Sequence, residues 1–71
     1  LSSAQPARPV GEFAPLVVYS ETQFSAAAEE LQRALNRIPG IFVKLDGIPG
    51  ARTSAAFKTV TGSFLSGDPR A

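Results

Sequence analysis

The chain contains no cysteine and no histidine among its 71 residues. Disulfide bridges are therefore excluded, and so are the two side chains that most often bind zinc. The same absence removes Ser-His and Cys-His pairs from the candidate catalytic arrangements. Because neither a disulfide nor such a metal site can cross-link the chain, its folding must depend on apolar packing.

Charge of either sign is also scarce. Seven lysines and arginines are balanced by six acidic residues, which gives a net charge of +1, and the basic residues are scattered from Arg8 to Arg70 rather than clustered. This distribution argues against a nucleic-acid partner. No apolar run approaches the roughly 20 residues that a membrane span requires, so we expect no span.

The length allows one domain with a single core. Residues 1–9 are rich in Ser, Ala and Pro without an apolar period, which is typical of a flexible arm or linker. Residues 10–71 are then the single domain. Within it, residues 16–19 form a β-branched run that predicts a short buried extended segment.

A helix is predicted over residues 21–37. Ser20 is the expected N-cap, because Gln23 stands three residues later in a capping box. Pro39 and Gly40 end the helix. One apolar stripe at spacings of three and four comprises Phe24, Ala27, Ala28, Leu31, Leu35 and Ile38. A core-facing helix is the strongest structural prediction from this sequence.

A second, shorter helix is predicted after a turn. Residues 41–45 are a short apolar stretch in which Phe42 is expected in the core, and the Asp-Gly pair at 46–47 favours chain reversal. Thr53 is the expected N-cap of the second helix and Gly62 its C-terminal glycine. Phe57 and Val60 should hold this helix against the first. The expected fold class is mainly α: a small bundle of two to three helices with long loops and a short extended segment.

Two blocks of the sequence carry a resemblance to a known family. Residues 31–36 read LQRALN, and residues 46–57 read DGIPGARTSAAF. In this order they resemble the peptidoglycan-binding domain family, whose pattern is L-Q-x-x-L followed by D-G-x-x-G-x-x-T-x-x-A. The resemblance implies a small helical, non-catalytic module of a cell-wall hydrolase. It also implies a location in the bacterial envelope, or delivery there by a phage, and no cofactor.

Each matched residue also has a structural reason to be there. Leu31 and Leu35 lie one helical turn apart on the buried stripe, and Gln32 beside them can satisfy backbone groups of the adjoining loop. Asp46 can accept from amides of its own turn, and Thr53 can cap a helix. The motif is therefore interpreted chiefly as architecture.

The candidate ligand-binding residues follow from the resemblance and from side-chain chemistry. The partner it implies is the peptidoglycan glycan strand or stem peptide, which presents hydroxyls, amides and carboxylates. Arg52 could meet a carboxylate near the start of the second helix, although an exposed arginine is more often a solvated cation. Tyr19 and Phe42 could supply stacking surface. The candidate set is Arg52, Asp46, Gln32, Tyr19 and Thr53.

Three functional hypotheses remain open at this point. No pattern of nucleophile and base, paired carboxylates or phosphate-binding loop stands out, so an enzyme is not expected. The leading hypothesis is a wall-binding module. The alternative is a docking module of the same fold that binds a parent catalytic domain or a partner subunit, and a DNA-binding helix pair is disfavoured by the near-neutral charge.

Overall fold

A computed structural model describes residues 9–71 of the chain. A 3₁₀ helix at Val10–Phe13 is followed by helix α1 at Ala26–Asn36 and helix α2 at Ala51–Thr61. Within residues 9–71 there is no strand, and the one β-bridge is an isolated parallel pair between Val18 and Ser66. The prediction of a small, mainly α fold is confirmed. The predicted arm, residues 1–9, lies outside the described residues apart from Pro9.

One core joins all three helical elements. The 3₁₀ helix packs against both α1 and α2, which also contact each other. The buried apolar side chains are Phe13, Val17, Ala28, Leu31, Leu35, Phe57 and Leu65. Since the core draws on residues from position 13 to position 65, the loops between the helices are held by the same packing as the helices themselves.

Helix α1 begins later than its sequence predicts. Ser20 does accept from the backbone amides of Thr22 and Gln23, at 3.2 and 2.9 Å, but no helix follows. Instead the Ser20 amide donates to the carbonyl of Pro49 and the Ser25 amide to that of Gly47. These bonds hold residues 20–25 along the second loop, which is the connection between α1 and α2 at residues 37–50. Ser25 becomes the N-cap and accepts from the Ala28 amide.

The late start of α1 removes Phe24 from the apolar stripe. Phe24 is 65% exposed, and its ring lies over Gly47 rather than in the core. Ile38, at the other end of the predicted stripe, is half-buried beyond the helix. The central stripe residues Ala28, Leu31 and Leu35 are fully buried as expected.

Helix α2 begins earlier than predicted, with Gly50 as its N-cap. Thr53 is the third residue of the helix, and its hydroxyl accepts from the side chain of Gln32 instead of capping the helix. The predicted end is confirmed: α2 stops at Gly62, whose φ of 91° suits glycine. Phe57 is buried as expected, whereas Val60 is 39% exposed and contributes less than predicted.

Two further apolar predictions are corrected. Phe42, expected in the core, is 87% exposed, because the flanking residues Ile41 and Val43 pack inward and leave it on the outer side of an extended segment. Of residues 16–19, Leu16 still belongs to the turn that follows the 3₁₀ helix, and the segment is only partly buried: Val17 is inaccessible, while Leu16 and Val18 are 48% and 61% exposed.

The described residues were also searched for a membrane span. No helix within residues 9–71 is both long enough and apolar enough to cross a bilayer.

Candidate functional site

Gln32 joins the two blocks of sequence that resemble the wall-binding family. Its side chain is 1% exposed and lies on α1 facing the second loop. The amide nitrogen is within hydrogen-bond distance of Asp46 Oδ1, the Ile48 carbonyl and Thr53 Oγ1, at 3.0 to 3.1 Å. The amide oxygen accepts from the Gly47 backbone at 2.9 Å. The expectation that Gln32 satisfies the adjoining loop is confirmed.

Asp46 also stabilises the turn at residues 46–48. Its Oδ1 atom accepts from the Ile48 amide at 2.9 Å as well as from Gln32. These two bonds, the backbone one first, lower the pKa of Asp46 below its ordinary value. Gly47 has a φ of 72°, and its backbone can turn there at no steric cost because it lacks a Cβ atom. The carboxylate is thus held ionised in a fixed position.

An open groove lies above this network at the start of α2. Its charged walls are Glu21, Lys44, Asp46 and Arg52, and its floor includes Thr53. We call it the entrance groove; its volume is about 390 Å³. Both signs of charge line it, so it can meet ligand groups of either sign by hydrogen bonds and ion pairs.

The five predicted site residues all lie in or next to the entrance groove. Arg52, Asp46 and Thr53 line it. Gln32 lies underneath and holds the other two in place, so it supports the groove without reaching its surface. Tyr19 is next to the groove and contacts one of its lining residues, Glu21. The Tyr19 hydroxyl donates to the Glu21 carboxylate, and this bond raises the pKa of Tyr19.

A second depression continues along α2 beyond Arg52. We call it the side groove; it lies between residues 40–43 and the exposed flank of α2, and its volume is about 420 Å³. Phe42 and Arg52 are its largest side chains, and Ala55, Ala56 and Thr59 complete the α2 wall. Arg52 is the one residue that lines both grooves, so it stands between them.

Sequence reasoning missed that the Phe42 ring lies on the surface. A signal was available: in an extended segment, residues two apart face the same way, and Lys44 stands two residues after Phe42. The decisive contacts could not be read from sequence. Asn36 binds both backbone groups of Val43, at 2.7 and 2.9 Å, and thereby sets which side chains face outward.

A second polar cluster ties the end of the described chain to α2. Asp68 is 4% exposed and accepts from the Arg70 guanidinium at 2.9 and 3.1 Å and from the Arg70 amide at 2.7 Å. Arg70 also donates to the carbonyl of Ala51, the first residue of α2. The Arg70 guanidinium lies 4.4 Å from the centre of the Phe64 ring. The cluster is outside both grooves and serves to hold the chain end against the helix.

Residues 9–71 contain no group of three acidic side chains close enough to hold an ion.

Comparisons of the chain with protein-family models, with curated proteins and with solved structures found no match. The resemblance to the peptidoglycan-binding family therefore rests on the motif residues alone.

Proposed function

We propose that the chain is a non-catalytic module that attaches its parent protein to bacterial peptidoglycan. The observation that carries this proposal is the Gln32 network, which joins the L-Q-x-x-L helix to the D-G-x-x-G-x-x-T loop. The Gln32 amide lies within hydrogen-bond distance of Asp46, of the backbone of residues 47 and 48, and of Thr53. The two family-like blocks thus form one unit directly beneath a surface groove.

The chemistry of the entrance groove suits wall material. Stem peptides carry carboxylates, amides and ammonium groups, and the glycan carries hydroxyls and N-acetyl groups. Arg52 is exposed and has no ion-pair partner within residues 9–71, so it is free to bind a carboxylate or carbonyl oxygen. Asp46 and Glu21 can accept from ammonium and amide groups. On this proposal the protein acts in the bacterial envelope, or is carried there by a phage, and its parent is a wall-active enzyme.

Co-sedimentation with purified sacculi tests the proposal. The wild-type chain should pellet with sacculi and remain in solution without them. Arg52→Ala should weaken this binding roughly tenfold, the loss expected for one charge-assisted hydrogen bond. The matched control is Arg37→Ala, which removes the same charge from an exposed residue just after α1, outside both grooves. Circular dichroism confirms that each variant is folded. Failure of the wild-type chain to pellet would refute wall attachment.

A second candidate function is favoured by exposed apolar residues on another part of the molecule. Val18 forms the bridge to Ser66, Leu16 lies in the turn two residues before it, and both side chains are exposed. Adjacent exposed apolar side chains are typical of a protein-protein contact. We propose docking on a parent domain or partner subunit as the alternative. Sedimentation velocity over a hundredfold concentration range, with Val18→Asp as the disrupting variant, tests whether this surface self-associates.

A further inference from the structure

Phe42 is the most exposed large apolar side chain of the described residues. It is 87% exposed, although its neighbours Ile41 and Val43 pack against the core. Its backbone is anchored on both sides: the Ile41 amide donates to the Ile38 carbonyl at 3.1 Å, and Asn36 binds both backbone groups of Val43. The ring is therefore presented to solvent from a fixed segment, which lowers the entropy lost when a ligand binds it.

The side groove places this ring opposite a wall of small side chains. Ala55, Ala56 and Thr59 face it from α2, and Arg52 closes one end. The recess is shallow and open, and it contains one flat aromatic surface and one guanidinium with five N–H donors. These groups match a ligand that has an apolar flat face and oxygen acceptors around its edge.

One edge of the segment at residues 40–43 is closed to an added peptide strand. Strand addition requires unpaired backbone N–H and C=O groups along an edge. Here the N–H of Ile41 and both backbone groups of Val43 already have partners within the protein. A docked amphipathic helix would instead require a row of apolar contacts, because its anchors recur every three to four residues. The groove offers a single exposed large apolar side chain, Phe42, because Ile41 and Val43 pack against the core.

We propose that the side groove binds a pyranose ring of the glycan strand, an inference that rests on the wall attachment proposed above and specifies the part of the wall that is recognised. The C–H face of the sugar stacks on Phe42, since aromatic rings bind flat apolar faces while leaving polar edges in water. Arg52 donates to a ring hydroxyl or to an N-acetyl carbonyl oxygen. Phe42 is then a binding residue and Asn36 the residue that positions it.

Two glycan probes test this inference separately from wall attachment. The first is glycan strands stripped of stem peptides by an amidase, and the second is a soluble tetramer of β-1,4-linked N-acetylglucosamine. The wild-type chain should bind both, and the tetramer should shift the NMR signals of Phe42 and Arg52. Phe42→Ala should weaken binding about tenfold, whereas Phe42→Trp should retain it.

Val60→Ala is the matched control. It truncates another partly exposed apolar residue of the same region, outside the side groove, and should bind glycan like the wild type. Thermal unfolding followed by circular dichroism verifies that both alanine variants are folded.

The outcomes distinguish this inference from the proposed function. Binding to intact sacculi without binding to stripped strands or the tetramer would overturn glycan recognition and leave wall attachment standing. Binding to the tetramer without binding to sacculi would support glycan recognition and refute wall attachment. Unchanged glycan affinity in Phe42→Ala would overturn the stacking role of Phe42.

Discussion

Gln32 donates its side-chain amide to the hydroxyl of Thr53 across 3.1 Å, and this bond links α1 to the first turn of α2. Both side chains are buried, so neither can exchange the bond for one with water. The same amide group also lies within hydrogen-bond distance of the Asp46 carboxylate and the Ile48 carbonyl, in the loop between the helices. The relative position of the two helices and the shape of the loop therefore depend on one side chain.

Gln32→Ala should be strongly destabilising. The substitution removes the side-chain oxygen that accepts from the Gly47 amide and the side-chain nitrogen that donates to Thr53 and to the Ile48 carbonyl. Gly47, Thr53 and Ile48 are buried or half-buried. An unsatisfied buried polar group costs about 1–3 kcal/mol. We expect a loss of about 2–4 kcal/mol in the free energy of unfolding, measured by urea denaturation.

The control for this change is Gln23→Ala, which removes the same side chain from an exposed position and should change stability by less than about 0.5 kcal/mol. If the two variants were equally stable, the Gln32 network would not hold the helices together.

Gly47→Ala should cost more than Gly40→Ala. Both glycines have positive φ, 72° and 89°, where a Cβ atom costs about 1–2 kcal/mol. At Gly40 the added methyl meets open space, whereas at Gly47 it would run into the ring of Phe24. Chemical denaturation of the two variants separates the backbone cost from the steric clash.

Combining Gly47→Ala with Phe24→Ala should recover the stability that is lost to the contact with the ring. The stability that is lost to the positive φ of residue 47 should not be recovered. A double variant no more stable than Gly47→Ala alone would show that displacing the exposed Phe24 ring adds nothing to the cost of the substitution.

Leu31→Ala and Leu35→Ala should each cost about 2–5 kcal/mol, because both side chains are fully buried and neighbouring atoms close such cavities only in part. A domain of this size has a total stability of several kcal/mol, at about 0.1 kcal/mol per residue. Either variant should therefore unfold at a clearly lower temperature than the wild type, measured by circular dichroism. Leu45→Ala, at a position that is 46% exposed, is the matched control and should remain folded.

Acid should weaken the attachment of the chain end to α2. The Arg70 guanidinium, together with the Ser54 hydroxyl and the Arg70 amide, holds the pKa of Asp68 well below its ordinary value. A carboxyl whose pKa is lower in the folded state stabilises the fold above its unfolded pKa of about 3.9. That stabilisation is lost as pH falls from there toward the folded pKa.

Asp68→Asn should accordingly lower stability at neutral pH and flatten its dependence on pH below about 4. Urea denaturation at a series of pH values from 7 to 2 measures this. Glu30→Gln removes a carboxylate from an exposed site on α1 as a control. An unchanged pH profile in Asp68→Asn would contradict the role of the Asp68–Arg70 pair.

The fold class was predictable because its signals are local. The apolar stripe around Leu31 and Leu35 requires a helix in any packing arrangement, and the Asp-Gly pair at 46–47 favours a turn whatever surrounds it. Of the candidate site, the placement of Asp46 and the support from Gln32 followed from their chemistry as short polar side chains beside a tight turn. The exposed ring of Phe42 was not predicted, because the usual burial of an apolar residue in a short apolar run outweighed the one signal against it, Lys44 two residues later.

The sequence by itself determined that this protein folds through apolar packing into two helices with a glycine turn between them, since periodicity and residue type act over a few neighbouring positions. Tertiary structure alone decided where those helices begin and which side chains line the grooves. Ser20 has the chemistry of an N-cap, but its amide and that of Ser25 bind the loop carbonyls of Pro49 and Gly47, and α1 starts only after them. Bonds between distant residues outweighed the local preference there, because each buried polar group must find a partner in the folded chain.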